Sequence, residues 1–170
     1  MGQAAYAAEH SPLTNYGSGM CLAPVADPFL GQSLYDNGVT IWQVSCTGAP
    51  EQQWTKIGLQ SDHNPNTGGG GLGFPPLETV DYLVNRATGL CLDVADANTA
   101  NGARIQQWTC NGGGSEKWFE HPSAFGYIQW TDYRTHKCLD VPNASTTRVV
   151  MQQYACWANP NVAQMYTLPS

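Results

Sequence analysis

The chain has 170 residues, of which only 12% are charged, and a formal net charge of −6. That length is enough for one well-buried domain. An acidic surface with seven Lys and Arg repels phosphate backbones, which excludes non-specific nucleic-acid binding. No apolar run approaches the roughly 18 residues that a membrane-spanning helix needs.

Residues 1–13 lack a basic region and an apolar core, so no signal peptide is visible; this Ala-rich start reads as a tail, the remnant of a processed leader or of cloning. A first unit runs over 14–58. It holds Met20-Cys21-Leu22-Ala23-Pro24, a loop with Pro28 and Gly31, the β-branched and aromatic run Val39 to Val44, and then Gln52-Gln53-Trp54. Residues 59–78 interrupt the pattern with Asn64-Pro65-Asn66, glycines 68 to 71, and Pro75-Pro76, a composition expected of a surface loop. A phosphate cradle there would need a Lys and a following helix, and both are absent.

A second unit, 79–123, runs from Asp81-Tyr82-Leu83-Val84 through a turn at 86–89 into Gly89-Leu90-Cys91-Leu92-Asp93-Val94. Asn101-Gly102 predicts a tight hairpin. Ile105-Gln106-Gln107-Trp108-Thr109-Cys110, a turn at 111–114 and Glu116-Lys117-Trp118 complete it. The third unit, 124–170, repeats the plan with Lys137-Cys138-Leu139-Asp140-Val141, Met151-Gln152-Gln153-Tyr154-Ala155-Cys156 and Gln164-Met165-Tyr166. Each unit reads as about four short strands, and no stretch has helical period and length.

Six cysteines, two per unit, have the arithmetic of a disulfide framework. Pairing within each unit (Cys21 with Cys46, Cys91 with Cys110, Cys138 with Cys156) closes three similar loops, each worth about 3 kcal/mol in the chain-entropy model. A zinc site needs close pairs such as C-x2-C, and none exists. Disulfides imply an oxidising compartment, hence a secreted protein. A strand-only unit of this size cannot bury its apolar face alone, so the three copies must share one core. Three four-stranded units can close into a barrel with pseudo-threefold symmetry, whereas a propeller needs more.

The tandem pattern GLCLDV…IQQWTC…EKW, KCLDV…MQQYAC…QMY and MCLAP…IWQVSC…QQW resembles the ricin B-chain (R-type) lectin family of β-trefoils. The resemblance covers about residues 14–170 and implies an all-β β-trefoil with one disulfide per repeat. It also implies a sugar site in each equipped repeat, built from a carboxylate for adjacent ring hydroxyls, an amide and a stacking aromatic. Repeat two offers Asp93, Gln106, Trp108 and Glu116 as sugar contacts, with Ser115-Glu116 standing where the family has Asn-Gln. Repeat three offers Asp140, Gln152, Tyr154 and Gln164, with Ala163 at the Asn position and Asn161 nearby as a substitute. Repeat one has Ala23, Trp42 and Val44 in the three places, so its site is expected to be lost. Trp54, Trp118 and Tyr166 are expected in the core.

The implied function is a secreted, non-enzymatic lectin or carbohydrate-binding module for galactose-type or related sugars, acting through repeats two and three. The alternative is a receptor-binding trefoil subunit of a toxin assembly, similar to the binding subunits of cytolethal distending toxins. The implied partners are glycans, galactose-type or xylan-like, with a toxin or catalytic chain as a further partner. Four dispersed histidines and the lack of any nucleophile–base pair give no support to a metal, a cofactor or a catalytic centre.

Overall fold

A computed structural model describes residues 9–59, 62–63, 77–123, 125–157 and 161–167. The tail at 1–8 and the Gly/Pro-rich stretch 64–76 lie outside the described residues. The first repeat contributes β1 (Ser11–Pro12), β2 (Cys21–Pro24), β3 (Ile41–Val44) and β4 (Gln53–Gly58). Next come the short strands β5 (Asp62–His63) and β6 (Leu77–Glu78), which pair with each other. The insertion expected as an unstructured loop is therefore closed at its base by a two-residue ladder. The second repeat holds β7 (Val80–Asn85), β8 (Cys91–Val94), β9 (Ile105–Trp108) and β10 (Trp118–Pro122). The third holds β11 (Ile128–Asp132), β12 (Cys138–Asp140), β13 (Val149–Val150) and β14 (Gln152–Tyr154). The other elements among the described residues are six three-residue 3-10 turns.

The barrel wall follows the antiparallel order β1-β4-β7-β10-β11. Bridges from Tyr166 to Asn15 and to Ile128 tie the end of the chain to both its start and β11, closing the ring. β1 pairs with β4, and Leu13 is fully buried, so the barrel begins inside the stretch set aside as a tail. Each repeat sends out a hairpin-like pair: β2 with β3, β8 with β9, and β12 with β14. Their registers are equivalent, with Cys21 opposite Val44, Cys91 opposite Trp108 and Cys138 opposite Tyr154. The three disulfides pair the cysteines within each repeat, Cys21–Cys46, Cys91–Cys110 and Cys138–Cys156.

Trp54, Trp118 and Tyr166 are fully buried and carry the threefold pattern into the core. Each meets the need of a buried aromatic for a polar partner. The two indole N–H groups donate to Leu22 O and Leu92 O, at 2.9 and 3.0 Å, and the Tyr166 hydroxyl donates to Ala163 O at 3.2 Å. Leu22, Leu92 and Leu139, each one residue after a cysteine, fill the space between them without exposure.

Three further glutamines lock the repeats to one another. Gln43, Gln107 and Gln153 are fully buried, and each Nε2 donates to two carbonyls of the neighbouring repeat's loop: Ser145 and Thr147, Leu34 and Asp36, Asn98 and Ala100. Each Oε1 accepts a hydroxyl, from Ser18, Thr88 and Thr135 respectively. In a Gln-Gln pair on a strand, successive side chains face opposite ways. Gln107 and Gln153 therefore hold the barrel, and Gln106 and Gln152 are left for the outer face. The turn expected at Asn101-Gly102 sits inside a longer connection: Val94 pairs with Ile105, and only Gly102 of the two has positive φ (85°).

Candidate functional site

Strand register creates the polar sites. Asp93 lies directly opposite Gln106 on β8 and β9, and Asp140 lies opposite Gln152 on β12 and β14. Directly opposed residues in an antiparallel pair have touching side chains. Gln106 Nε2 donates to Asp93 Oδ2 at 2.8 Å, and Gln152 Nε2 donates to Asp140 Oδ2 at 2.7 Å. The same register in repeat one opposes Ala23 to Trp42, which leaves no polar pair.

In repeat two, Asp93, Gln106 and Trp108 line a cavity of about 220 Å³ together with Asp96, Ala97, Asn111, Ser115 and Glu116. Trp108 is 38% exposed, so its ring is open to a ligand. Glu116 is 1% exposed, and its Oε1 accepts the backbone N–H of Asn111 (2.7 Å) and of Gly112 (2.5 Å). That oxygen is engaged in holding the loop after Cys110. Ser115, where the family has Asn, lines the same cavity as Asp93. Burial pushes the Asp93 carboxyl above its usual range; Gln106 and Ser115 oppose the rise, and the Glu116 charge adds to it.

In repeat three, Asp140, Gln152 and Tyr154 line a larger cavity of about 430 Å³ with Asn143, Ala144, Trp157, Asn161 and Ala163. Trp157, 56% exposed, is a residue the repeat pattern did not single out; its ring lies 6.4 Å from that of Tyr154 and within 8° of parallel. Gln164 is fully buried behind the carboxylate: its Nε2 donates to Asp140 Oδ1 at 3.0 Å and to Ala155 O at 3.1 Å, and its Oε1 accepts Trp157 N–H at 3.2 Å. Asn161 lines the cavity while its Oδ1 accepts Ala163 N–H. Burial raises the Asp140 pKa, against the two glutamine donors.

Both cavities share a backbone feature. Asp96-Ala97 and Asn143-Ala144 have φ of 57°, 49°, 54° and 49°, a left-handed conformation that costs a non-glycine residue energy. In the corresponding loop of repeat one no residue from Pro24 to Leu30 has positive φ.

Residues 79–154 match the family model described as ricin-type β-trefoil lectin domain-like. The match takes in the second repeat and the third as far as Tyr154, and both carboxylate–amide pairs lie within it. The trefoil superposes on a designed threefold-symmetric protein, ThreeFoil, at 26% identity and a TM-score of 0.73, covering 95% of this chain and 98% of that one. An exo-β-1,3-galactanase from Clostridium thermocellum matches at 26% identity and a TM-score of 0.72, covering 96% of this chain but only 30% of that one. The Macrolepiota procera ricin B-like lectin, solved with lactose, shares the fold at 15% identity and a TM-score of 0.65, with 97% of each chain covered.

The two carboxylate–amide sites have the chemistry to hold a diol. A carboxylate offers about four lone-pair positions. In repeat three, two are taken by glutamine N–H donors, one on each oxygen, which leaves both oxygens able to accept a sugar hydroxyl. Among the described residues no group of three His, Cys, Asp or Glu side chains is placed to hold a metal ion.

Proposed function

We propose that this chain is a non-enzymatic, secreted carbohydrate-binding module that takes galactose-type sugars at two sites. Asp93 with Gln106 and Trp108 forms one, and Asp140 with Gln152, Tyr154 and Trp157 the other. Glu116 and Gln164 support the carboxylates and the loops and do not touch the sugar. The observation that carries this reading is recurrence. The carboxylate–amide pair, the neighbouring aromatic and the left-handed loop occur together in repeats two and three and are absent together from repeat one.

Each carboxylate accepts adjacent ring hydroxyls, each glutamine fixes the carboxylate's rotamer, and the aromatic face covers the C–H patch of the ring. The galactose preference is supported by likeness to the galactanase chain, which acts on a galactan, and to the lectin solved with lactose. A monosaccharide on one open site offers few atoms, so single-site affinity is about millimolar. Two sites on one barrel raise avidity on a clustered glycan. A glycan array read with the wild type and with Asp93→Ala plus Asp140→Ala tests the reading: undiminished binding by the double variant rules these sites out.

The second reading, a receptor-binding subunit of a toxin assembly, is favoured by the loop of repeat one. There Phe29 is 98%, Leu30 72% and Tyr35 65% exposed, an apolar patch suited to a protein contact. The Haemophilus ducreyi cytolethal distending toxin shares the fold at 11% identity. A strictly monomeric protein that binds sugar and retains no partner chain from its native source counts against it.

A further inference from the structure

A further cavity lies outside the two proposed sugar sites. It measures about 450 Å³ and lies where all three repeats meet. Repeat one supplies Trp42, Gly38 and the loop with Phe29 and Leu30; repeat two supplies Arg104 and repeat three Arg148. Two of the chain's four arginines thus face one cavity in a protein of net charge −6. The other cations are engaged elsewhere. Lys56 pairs with Glu120, Arg134 with Asp132 and Ala97 O, Arg86 with Gln53, Lys137 with Thr99 O, and Lys117 lies over Tyr133.

Arg148 differs from these. Its guanidinium carbon stands 4.9 Å from the centre of the Trp42 ring, and among the described residues it makes no ion pair or hydrogen bond. Stacking on the indole holds the fork in place with its N–H donors free, the arrangement that suits a planar carboxylate. Arg104 is fixed by its own contacts: Nη1 donates to Gly38 O at 3.2 Å and Thr40 Oγ1 at 2.8 Å, and Nη2 donates to Gln106 Oε1 at 3.3 Å. Its Nε and one Nη2 hydrogen stay available. The carboxylate of the lining, Asp27, already accepts Phe29 N–H at 2.8 Å, and against two guanidiniums it leaves the cavity positive.

The cavity adjoins the repeat-two site. Arg104 bonds the site's amide oxygen, and a methyl group added to Gly38 would lie 3.7 Å from Trp108 Cζ3 and 3.8 Å from Gln106 Oε1. The repeat-one loop is therefore a shared wall between the two spaces. Trp42 and Arg148, idle in the lost repeat-one site, acquire a role.

We propose that this cavity binds the carboxylate of an acidic sugar residue, held by Arg148 and Arg104, when a neutral neighbour in the same glycan occupies Asp93, Gln106 and Trp108. The inference rests on the repeat-two sugar site proposed above. The test compares a galactose disaccharide with the same disaccharide oxidised to a carboxylate at C6 of either residue in turn, titrated against the full chain. One oxidised form should bind about tenfold more tightly than the neutral one, the scale of a hydrogen bond to a charged group. The advantage should shrink at high salt and vanish in Arg148→Gln, whose affinity for the neutral disaccharide stays at the wild-type value. Equal affinity for all three ligands in the wild type overturns the proposal, as does an advantage that survives Arg148→Gln. The two readings fail differently: if Asp93→Ala plus Asp140→Ala leaves neutral binding intact, the sugar sites are wrong, while loss of the Arg148-dependent increment alone removes only the acidic subsite.

Discussion

Repeats two and three contain the same cross-strand carboxylate–amide pair, yet the groups behind the two carboxylates differ. Asp140 is held from both sides, by Gln152 on one oxygen and Gln164 on the other. Asp93 has Gln106 on one oxygen, no second amide, Ser115 in the same cavity lining, and the charge of Glu116 nearby. The aromatic walls differ too, a single Trp108 against the near-parallel pair Tyr154 and Trp157. The difference teaches that register decides whether a site exists, and the residues behind the carboxylate decide how well it holds its charge.

The largest effect comes from removing either carboxylate acceptor. Asp93→Asn and Asp140→Asn should each abolish one site, about a hundredfold or more in its affinity, since two hydrogen bonds from sugar to a charged group are lost. Titration with a monosaccharide should then give a stoichiometry of one in place of two. If either single variant retains both sites, the equivalence of the two repeats is broken.

A change outside both sites separates stability from binding. Asp81 on β7 is 1% exposed and stands between Lys56 on β4 and Glu120 on β10. Burial, and then the Glu120 charge, raise its pKa from 3.8 to about 6, although Lys56 pulls the other way. A raised carboxyl pKa means that the fold favours the protonated form. The contribution of Asp81 to stability is greatest below pH 3.8, falls as pH rises toward 6, and stays at the lower level above it. Asp81→Asn removes this penalty and should stabilise the protein at pH 8 by up to about 3 kcal/mol, with little gain at pH 4. Thermal melts at the two pH values read this directly, and the sugar affinities should not move.

Much of this was legible in the sequence because the threefold repeat makes each residue comment on two others. The cysteines, the leucines after them and the aromatics of the Gln-x-Trp positions recur for packing, so their burial followed from recurrence. The residues that pattern did not reach are those where the copies diverge in length or backbone. Trp157 follows Cys156 in a loop that is longer than the one between Cys110 and Glu116, so it has no counterpart to align with. The left-handed Asp96-Ala97 and Asn143-Ala144 pairs contain no glycine to announce them. In each Gln-Gln dipeptide, composition does not say which side chain faces inward; that depends on register with the partner strand.

The aromatic difference gives the next prediction. Trp157→Ala should weaken repeat three about tenfold, the loss of one open stacking face, and leave repeat two unchanged. Trp108→Ala should do the reverse and more completely, because repeat two has no second ring. NMR shifts of the remaining indole N–H group during sugar titration assign each loss to its site. Unchanged affinity of repeat three in Trp157→Ala, with a loss in Tyr154→Ala, would show that Trp157 lines the cavity without contributing.

The finest contrast is the one atom that separates Glu116 from Gln164. Both oxygens Oε1 accept a backbone N–H in the loop after the second cysteine, so Glu116→Gln keeps that contact. The substitution replaces the like charge beside Asp93 with an N–H that can donate as Gln164 donates to Asp140. Asp93 should then ionise more readily. In the proposed site, sugar binding should require the ionised carboxylate and be lost as pH falls through its pKa, so in Glu116→Gln the loss should move to lower pH, with a gain of a few-fold at the old midpoint. Measured in an Asp140→Asn background, the titration reports repeat two alone. Gln164→Glu in an Asp93→Asn background should shift repeat three in the opposite direction. If neither edge moves, the group behind the carboxylate does not set its charge, and the difference between the two sites must come from their aromatic walls.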